Sequence, residues 1–206
     1  MLLISDNSAA DLVLKAVGGA PVVNARLAAL GVQGISVDRP TILLIADSMG
    51  VKSLPPESEW SKAGFAALAL ARGLTDADQA AAKEAFYKDQ RDTATPTGMA
   101  RLLANIWRKE ALSPTGSDQL VDIMFRCETG LARIKGLLPP GTRVAHKTGT
   151  LNIGVTADVG IIELPNGAGH VVLTVFVKEA KADPDAQERT IAQIGRAVYD
   201  YFLFRR

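Results

Sequence analysis

Two short polar stretches hold the side chains best able to do chemistry: Ser5-Asp6-Asn7 near the amino end and Lys147-Thr148-Gly149-Thr150 far along the chain. A serine hydroxyl beside a lysine ammonium can pass a proton and draw in an anionic substrate, provided folding brings the two within a hydrogen bond across one groove. Taken singly the motifs are weak, because Ser-Asp-Asn is also a common loop or helix-cap tripeptide and Lys-Thr-Gly is weaker still. Their order and setting give them weight: the serine motif opens a helix and the lysine motif ends a strand. No serine is followed by lysine three positions later, and Ser58 and Ser61 in Ser58-Glu59-Trp60-Ser61-Lys62 miss that spacing.

The bulk composition limits the function classes. At 206 residues, 48% apolar and 22% charged, the chain can bury a substantial core as one domain or two closely packed lobes. Lys and Arg number 23 against 22 Asp and Glu, a net charge of +1 that is too weak to recruit nucleic acid or an anionic membrane, so a small-molecule substrate is the expected partner. The single cysteine, Cys127, has no internal disulfide partner; with His146 and His170 as the two histidines there is no zinc-ligand cluster, and no metal or cofactor is expected. No apolar run, Val171 to Val177 interrupted by Thr174 included, is long enough to span a bilayer, and the amino end lacks the basic-then-apolar pattern of a signal peptide.

The elements that must position the two motifs follow from periodicity and turn chemistry. Helical spacing runs from residue 6 to Gly18-Gly19, and a second short helix carries Pro21 in its first turn and ends at Gly31. Residues 38 to 62, with Pro40, Gly50, Pro55 and Pro56, read as a large surface loop in which Ile42 to Ala46 resembles neither a strand nor a helix. Helices are expected over Ala63 to Arg72, over Thr75 to Tyr87 with Thr75 as cap, from Thr95-Pro96, and from Ser113-Pro114 to near Gly130. Arg143 to Lys147, Val155 to Leu164 and His170 to Lys178 read as strands, the last two joined at Pro165-Asn166-Gly167, and a terminal helix runs from Pro184. The expected fold class is α+β: a helical lobe over residues 1–140, then an antiparallel three-stranded sheet covered by a C-terminal helix over residues 141–206.

Together the two motifs resemble the second and third signatures of the class A β-lactamase family, a serine hydrolase group whose first signature is Ser-x-x-Lys. The resemblance extends over nearly the whole chain. Leu3-Ile4-Ser5-Asp6-Asn7-Ser8-Ala9-Ala10-Asp11-Leu12 is similar to the second motif and its helix, and Leu30-Gly31 with Asp38-Arg39 to the entry of that family's omega loop. Arg91-Asp92-Thr93-Ala94-Thr95-Pro96 resembles the segment after the loop. Thr129-Gly130, Arg133, Gly136-Leu137-Leu138-Pro139 and Gly141 lead into Ala145 to Thr150 as in one branch of the family, and Asp158-Val159-Gly160-Ile161-Ile162 and Val175-Phe176-Val177-Lys178 resemble its last strands. The resemblance implies that Ser5 relays a proton to the departing amide nitrogen with Lys147 beside it, that Asn7 binds the substrate's side-chain amide, that Thr148 binds its carboxylate, and that the Thr150 N–H is one oxyanion donor; Gly149 lies between them. Asp6, Arg39 and Asp92 take structural parts, Arg39 pairing with Asp47 or Asp92. Action in the periplasm or outside the cell is implied in the same way.

The chain departs from that pattern in three places. The missing Ser-x-x-Lys would hold the acylated serine, and N-terminal truncation is the simplest expectation; an open hydrophobic sheet edge, marginal stability and dimerisation through that edge would follow. Where the family carries a Glu two residues after the loop arginine and an Asn four residues further on, Thr41 and Ile45 stand, and neither handles the proton of a deacylating water. Glu57 or Glu59 could substitute. The loop itself, about residues 38–90, is enlarged and is expected to be packed by Trp60 and Phe65. Three functions remain open: a β-lactam hydrolase of the acyl-enzyme type, a slow D,D-peptidase or esterase relative, and a non-catalytic remnant or binder. His146 is expected to face away from Lys147 as a packed strand residue, and Cys127 to be a buried helix-end residue.

Overall fold

The structure, a computed structural model, describes residues 1–52 and 54–205, and within them all side chains but those of Lys62, Phe65, Ala69 and Ala71. The chain packs as two compact units, one of residues 7–25 and 36–93, the other of residues 1–6, 26–35 and 94–206. Residue 140 marks where strands replace helices along the chain. Packing follows a different division, because helices that precede residue 140 lie against the sheet that follows it.

The first unit holds α1 (Asn7–Ala16), the start of α2 (Ala20–Ala29), α3 (Thr41–Ser48), α4 (Lys62–Ala71) and α5 (Asp76–Lys88). The expected Thr75 cap is a full capping box: the Thr75 hydroxyl accepts the Asp78 N–H while the Asp78 carboxylate accepts the Thr75 N–H. Helix α3 corrects the expectation that Ile42 to Ala46 is irregular. Its cap is not local: Pro40 precedes the first turn with φ −59° and has no side-chain donor or acceptor, and the orphan N–H groups of Thr41 and Ile42 donate to the two carboxylate oxygens of Asp11 at 2.6 and 3.0 Å. No start signal within the stretch could reveal it. Ala46 and Val51 form a small core with Ile42, Met49, Trp60 and Leu68 against them, and Trp60 donates its ring N–H to the Pro55 carbonyl at 2.9 Å. The expected packing of Phe65 lies outside the described residues.

The ends of the enlarged loop are closed by charge. Arg39, buried, donates Nε–H to Asp92 at 2.7 Å, pairs with Asp89 at 3.2 Å and also pairs with Asp47. Both carboxylates expected from the sequence are engaged, and Asp89 is a third. The backbone N–H groups of Asp38 and Arg39 donate to Asp92 Oδ1, and the Asp92 N–H donates back to Asp38 Oδ2 at 2.7 Å. The Ser36 hydroxyl, and then the Asp92 N–H, hold the Asp38 carboxyl below its usual value, and Arg91 holds Asp89 well below the carboxylate range.

The second unit holds α6 (Pro96–Trp107), α7 (Pro114–Phe125), β1 (Val144–Leu151), β2 (Val155–Glu163), β3 (His170–Val177) and α8 (Pro184–Phe204). Each of these helices opens alike: Thr95, Ser113 or Asp183 accepts an N–H from the first turn, and a proline follows at the first position. The three strands pair antiparallel in the order β1-β2-β3, with Lys147 opposite Val159 and Thr148 opposite Asp158. Val144, Ile162, Val171, Leu173 and Val175 face Ile191 and Tyr199 of α8; Ala145, Val159 and Ile161 face Leu103, Ile106, Val121 and Met124 of α6 and α7. β1 runs four residues beyond the expected Lys147, to Leu151, so the lysine motif lies inside the strand. Its last residues pair with Val155 to Asp158 across a short turn. Helix α7 ends at Phe125, short of Gly130. Among the described residues no single helix is long and apolar enough to cross a membrane.

Removing the guanidinium with Arg39→Ala leaves three carboxylates facing one another, and the expected loss is about 3 kcal/mol in a urea titration. The depressed carboxyls of Asp38 and Asp89 stabilise the fold fully above their unfolded value near pH 4, and that contribution is lost as pH falls through their lower folded values. Hydrogen exchange over residues 40–91 should therefore stay protected at about pH 4 and rise only well below it. On β2, a Cβ at Gly160 would sit 2.8 Å from the His146 Cβ and 2.7 Å from the Ala145 carbonyl oxygen, so Gly160→Ala is expected to cost about 1 to 3 kcal/mol, read from the thermal midpoint.

Candidate active site

Ser5 ends the turn at the amino end of the chain, with φ +57°, in the left-handed region that non-glycine residues seldom occupy. The turn is tied down where the Glu128 N–H donates to the Leu3 carbonyl at 3.0 Å. Lys147 comes from the middle of β1, 142 residues away, and its Nζ donates to Ser5 Oγ at 2.7 Å and also to the Thr148 carbonyl. The lysine is half-buried. Burial is the main cause that pulls its pKa below the usual lysine value, Arg133 adds to the fall, and Cys127 and Asp158 oppose it.

The residues after Lys147 are held from the α8 side of the sheet. Thr148 is buried and its hydroxyl lies 2.6 Å from that of Thr129, which in turn contacts Cys127 Sγ at 3.3 Å. Gly130, at φ +66°, lets the chain pass close by; a Cβ there would meet the Thr148 methyl at 2.4 Å. Arg133 spreads its guanidinium along the strands: Nη1 donates to the carbonyls of Gly149 (3.0 Å) and Ala157 (2.9 Å), Nη2 to the Thr150 hydroxyl (2.7 Å), and Nε to Glu188 (2.9 Å). Gly149 and Thr150 keep exposed surface.

His146 faces away from Lys147, fully buried, with Nδ1 at 2.9 and 3.0 Å from the two oxygens of Asp158; Asp158 also accepts the Ile134 N–H at 3.1 Å. Cys127 is buried just past the end of α7. Asp6 is exposed beside Ser5. Asn7, also exposed, is the first residue of α1 and belongs to the other unit, as do Arg39, Asp92, Thr41 and Ile45. Thr41 heads α3, and Ile45 is buried one turn on. Glu57 and Glu59 lie exposed in a single 3-10 turn. Glu57 lines a cleft of about 780 Å³ within that unit together with Asn7, Pro40 and Ile45.

Sequence reasoning singled out neither Thr129 nor Asp158 as a site residue and met Arg133 only within a resemblance. Asp158 did carry a signal, an acidic residue in the apolar run Val155 to Leu164, which requires a buried partner. Thr129 carried none.

Comparisons with known proteins identify the family and the fold. The model of the β-lactamase enzyme family matches residues 1–202. The chain is 38% identical over 144 residues to β-lactamase VEB-1 of Pseudomonas aeruginosa, covering 65% of this chain and 48% of that protein. To the extended-spectrum β-lactamase PER-1 of the same organism it is 40% identical over 111 residues, covering 52% and 36%. The chain thus spans about half the length, or less, of these relatives. Among solved structures, TLA-3 extended-spectrum β-lactamase superposes with a TM-score of 0.70 at 30% identity, covering 97% of this chain and 60% of that one, and an ancestral class A β-lactamase with 0.70 at 32%, covering 97% and 62%. Sheet and helices agree with that fold, and this chain belongs to the β-lactamase enzyme family, with class A enzymes as its relatives.

Proposed function

We propose that this chain carries the proton-relay and carboxylate-binding part of a serine hydrolase of the class A β-lactamase type, acting on β-lactams through an acyl-enzyme. The observation that carries the reading is the 2.7 Å contact between Lys147 Nζ and Ser5 Oγ. Ser5 hands a proton to the departing lactam nitrogen, and the half-buried Lys147 ammonium biases that hydroxyl and attracts the carboxylate of the substrate. A hydroxyl has one hydrogen to give and two lone pairs to fill, so the Thr150 hydroxyl, already accepting from Arg133, keeps its O–H for that carboxylate. Thr148 shares its hydroxyl with Thr129 and serves the same anion, and the Thr150 N–H is an oxyanion donor. The names of VEB-1 and PER-1 support a β-lactam substrate. In this reading the acylated serine belongs to a Ser-x-x-Lys motif that the 206 residues do not contain, and the working compartment is the periplasm or the outside of the cell.

Thr41 and Ile45 favour a second reading, a slow D,D-peptidase or esterase relative, since neither side chain can take a proton from water. Nitrocefin incubated with this chain is expected to keep its colour, and prompt turnover would show that the 206 residues themselves supply both a nucleophile and a base for the water.

The binding role is tested with benzylpenicillin by calorimetry. The chain is expected to bind it reversibly, and Lys147→Met to weaken the affinity about tenfold, the effect of one lost charge-assisted hydrogen bond; an unchanged Kd would overturn the reading. Only the ammonium attracts a carboxylate, so affinity should fall as pH rises through the lowered Lys147 pKa, before the ordinary lysine value of 10.5 is reached.

A further inference from the structure

Ser5 has the surroundings of a nucleophile as well as those of a relay. We infer that Ser5 and Lys147 form a serine–lysine dyad of their own, in which small activated esters acylate Ser5 Oγ with Lys147 Nζ, 2.7 Å away, as the general base. The proposal goes beyond the β-lactamase reading, which gives Ser5 no covalent role.

An activated serine needs a base within hydrogen-bond reach and a third group that orients the base. Lys147 supplies the first at 2.7 Å, and the Thr148 carbonyl, which accepts from the same Nζ, supplies the second. That carbonyl is fixed because β1 is paired along its length with β2 and the Thr148 side chain is buried against Thr129. Burial lowers the lysine pKa, so the amine becomes neutral at a lower pH than an ordinary lysine, and once it is neutral the contact reverses and the serine O–H donates to the nitrogen lone pair. Ser5 itself is only partly buried, so an ester can reach it. Its φ of +57° is a strained conformation of the kind found at functional positions, kept in place by the Leu3–Glu128 backbone bond.

The chemistry balances with no further reagent. The Ser5 proton passes to the neutral Lys147 amine as Oγ forms a bond to the ester carbonyl carbon. The bond from that carbon to the aryloxy oxygen breaks, the aryloxide leaves with the electron pair, and the Lys147 ammonium gives its proton to the aryloxide or to solvent, so that the amine is neutral again. Water then returns the enzyme: it gives a proton to Lys147, its oxygen bonds to the acyl carbon, the Oγ–carbon bond breaks, and Oγ recovers the proton. The ligand class is a small carboxylic ester with a good leaving group, and a fluorophosphonate traps the same oxygen.

The full 206-residue chain is treated with an alkyl fluorophosphonate and with p-nitrophenyl acetate, then analysed by intact mass and peptide mapping. One adduct on Ser5 is expected, with a labelling rate that rises with pH and levels off below pH 10.5. Ser5→Ala and Lys147→Met should each cut the rate at least tenfold. Lys147→Arg, which keeps the charge but does not give up its proton, should cut it as much, while Ser8→Ala leaves it unchanged. Circular dichroism melts of every variant separate lost chemistry from lost fold. An adduct elsewhere, equal labelling of Ser5→Ala, or a folded chain with no adduct overturns the dyad. If labelling fails while benzylpenicillin still binds reversibly, the β-lactamase reading survives without it; if labelling succeeds and penicillin does not bind, the dyad stands alone.

Discussion

The half-buried ammonium of Lys147 is the constraint around which the second unit is arranged. A cation taken partly out of water loses hydration that must be replaced, and here the replacement is a hydroxyl from the amino-terminal turn and a carbonyl of its own strand. Such a group keeps its place only if the strand beneath it cannot shift. β1 is accordingly fixed at both ends of the motif: before Lys147 by the fully buried His146 against Asp158, and after it by the Arg133 guanidinium on Gly149 and Thr150. Asp158 joins the two supports, because its second contact is the N–H of Ile134, the residue next to Arg133.

Strand alternation lets neighbouring residues do these different jobs. Lys147 projects to the α6 and α7 side with Ala145, and His146 and Thr148 project to the α8 side with Val144. Side by side in sequence, the cation and its buried support never compete for the same space. Gly160 belongs to this arrangement, since its missing side chain is the room that the His146 ring base occupies. A register slip of one residue would exchange the faces of β1 and bury the ammonium among Ile162, Leu173 and Ile191.

The fold class was largely legible because its signals are local. Thr95-Pro96, Ser113-Pro114 and Asp183-Pro184 each state a helix start in adjacent residues, and the runs of β2 and β3 are bounded by turn residues. The two site motifs were legible as peptides, and His146 could be assigned its face from the two-residue period alone. What stayed hidden depends on distant partners. Helix α3 starts on a carboxylate thirty positions earlier, and Thr129 matters only because Gly130 lets it reach Thr148. Arg133 could be quoted but not interpreted, since three of its four contacts lie on strands that form later in the chain.

Helix α3 also explains how the loop can keep its form at the positions where the family resemblance expects a base and a water-holding amide. Thr41 and Ile45 are one turn apart, so they project along one stripe of the helix, and Ile45 is buried there. The helix is held by Asp11 at its first N–H groups and by the small core around Ala46 and Val51, and neither support uses the side chain of Thr41 or Ile45. Arg39 and its carboxylates close the segment independently of both. A threonine at the first position therefore costs the loop nothing in stability. Restoring a glutamate there alone would place a carboxylate at a helix N-terminus, where the dipole favours its charged form and lowers its strength as a base. It would also leave the apolar Ile45 where a water must be held. The loop thus departs from the pattern the resemblance implies at two positions on one stripe, not one.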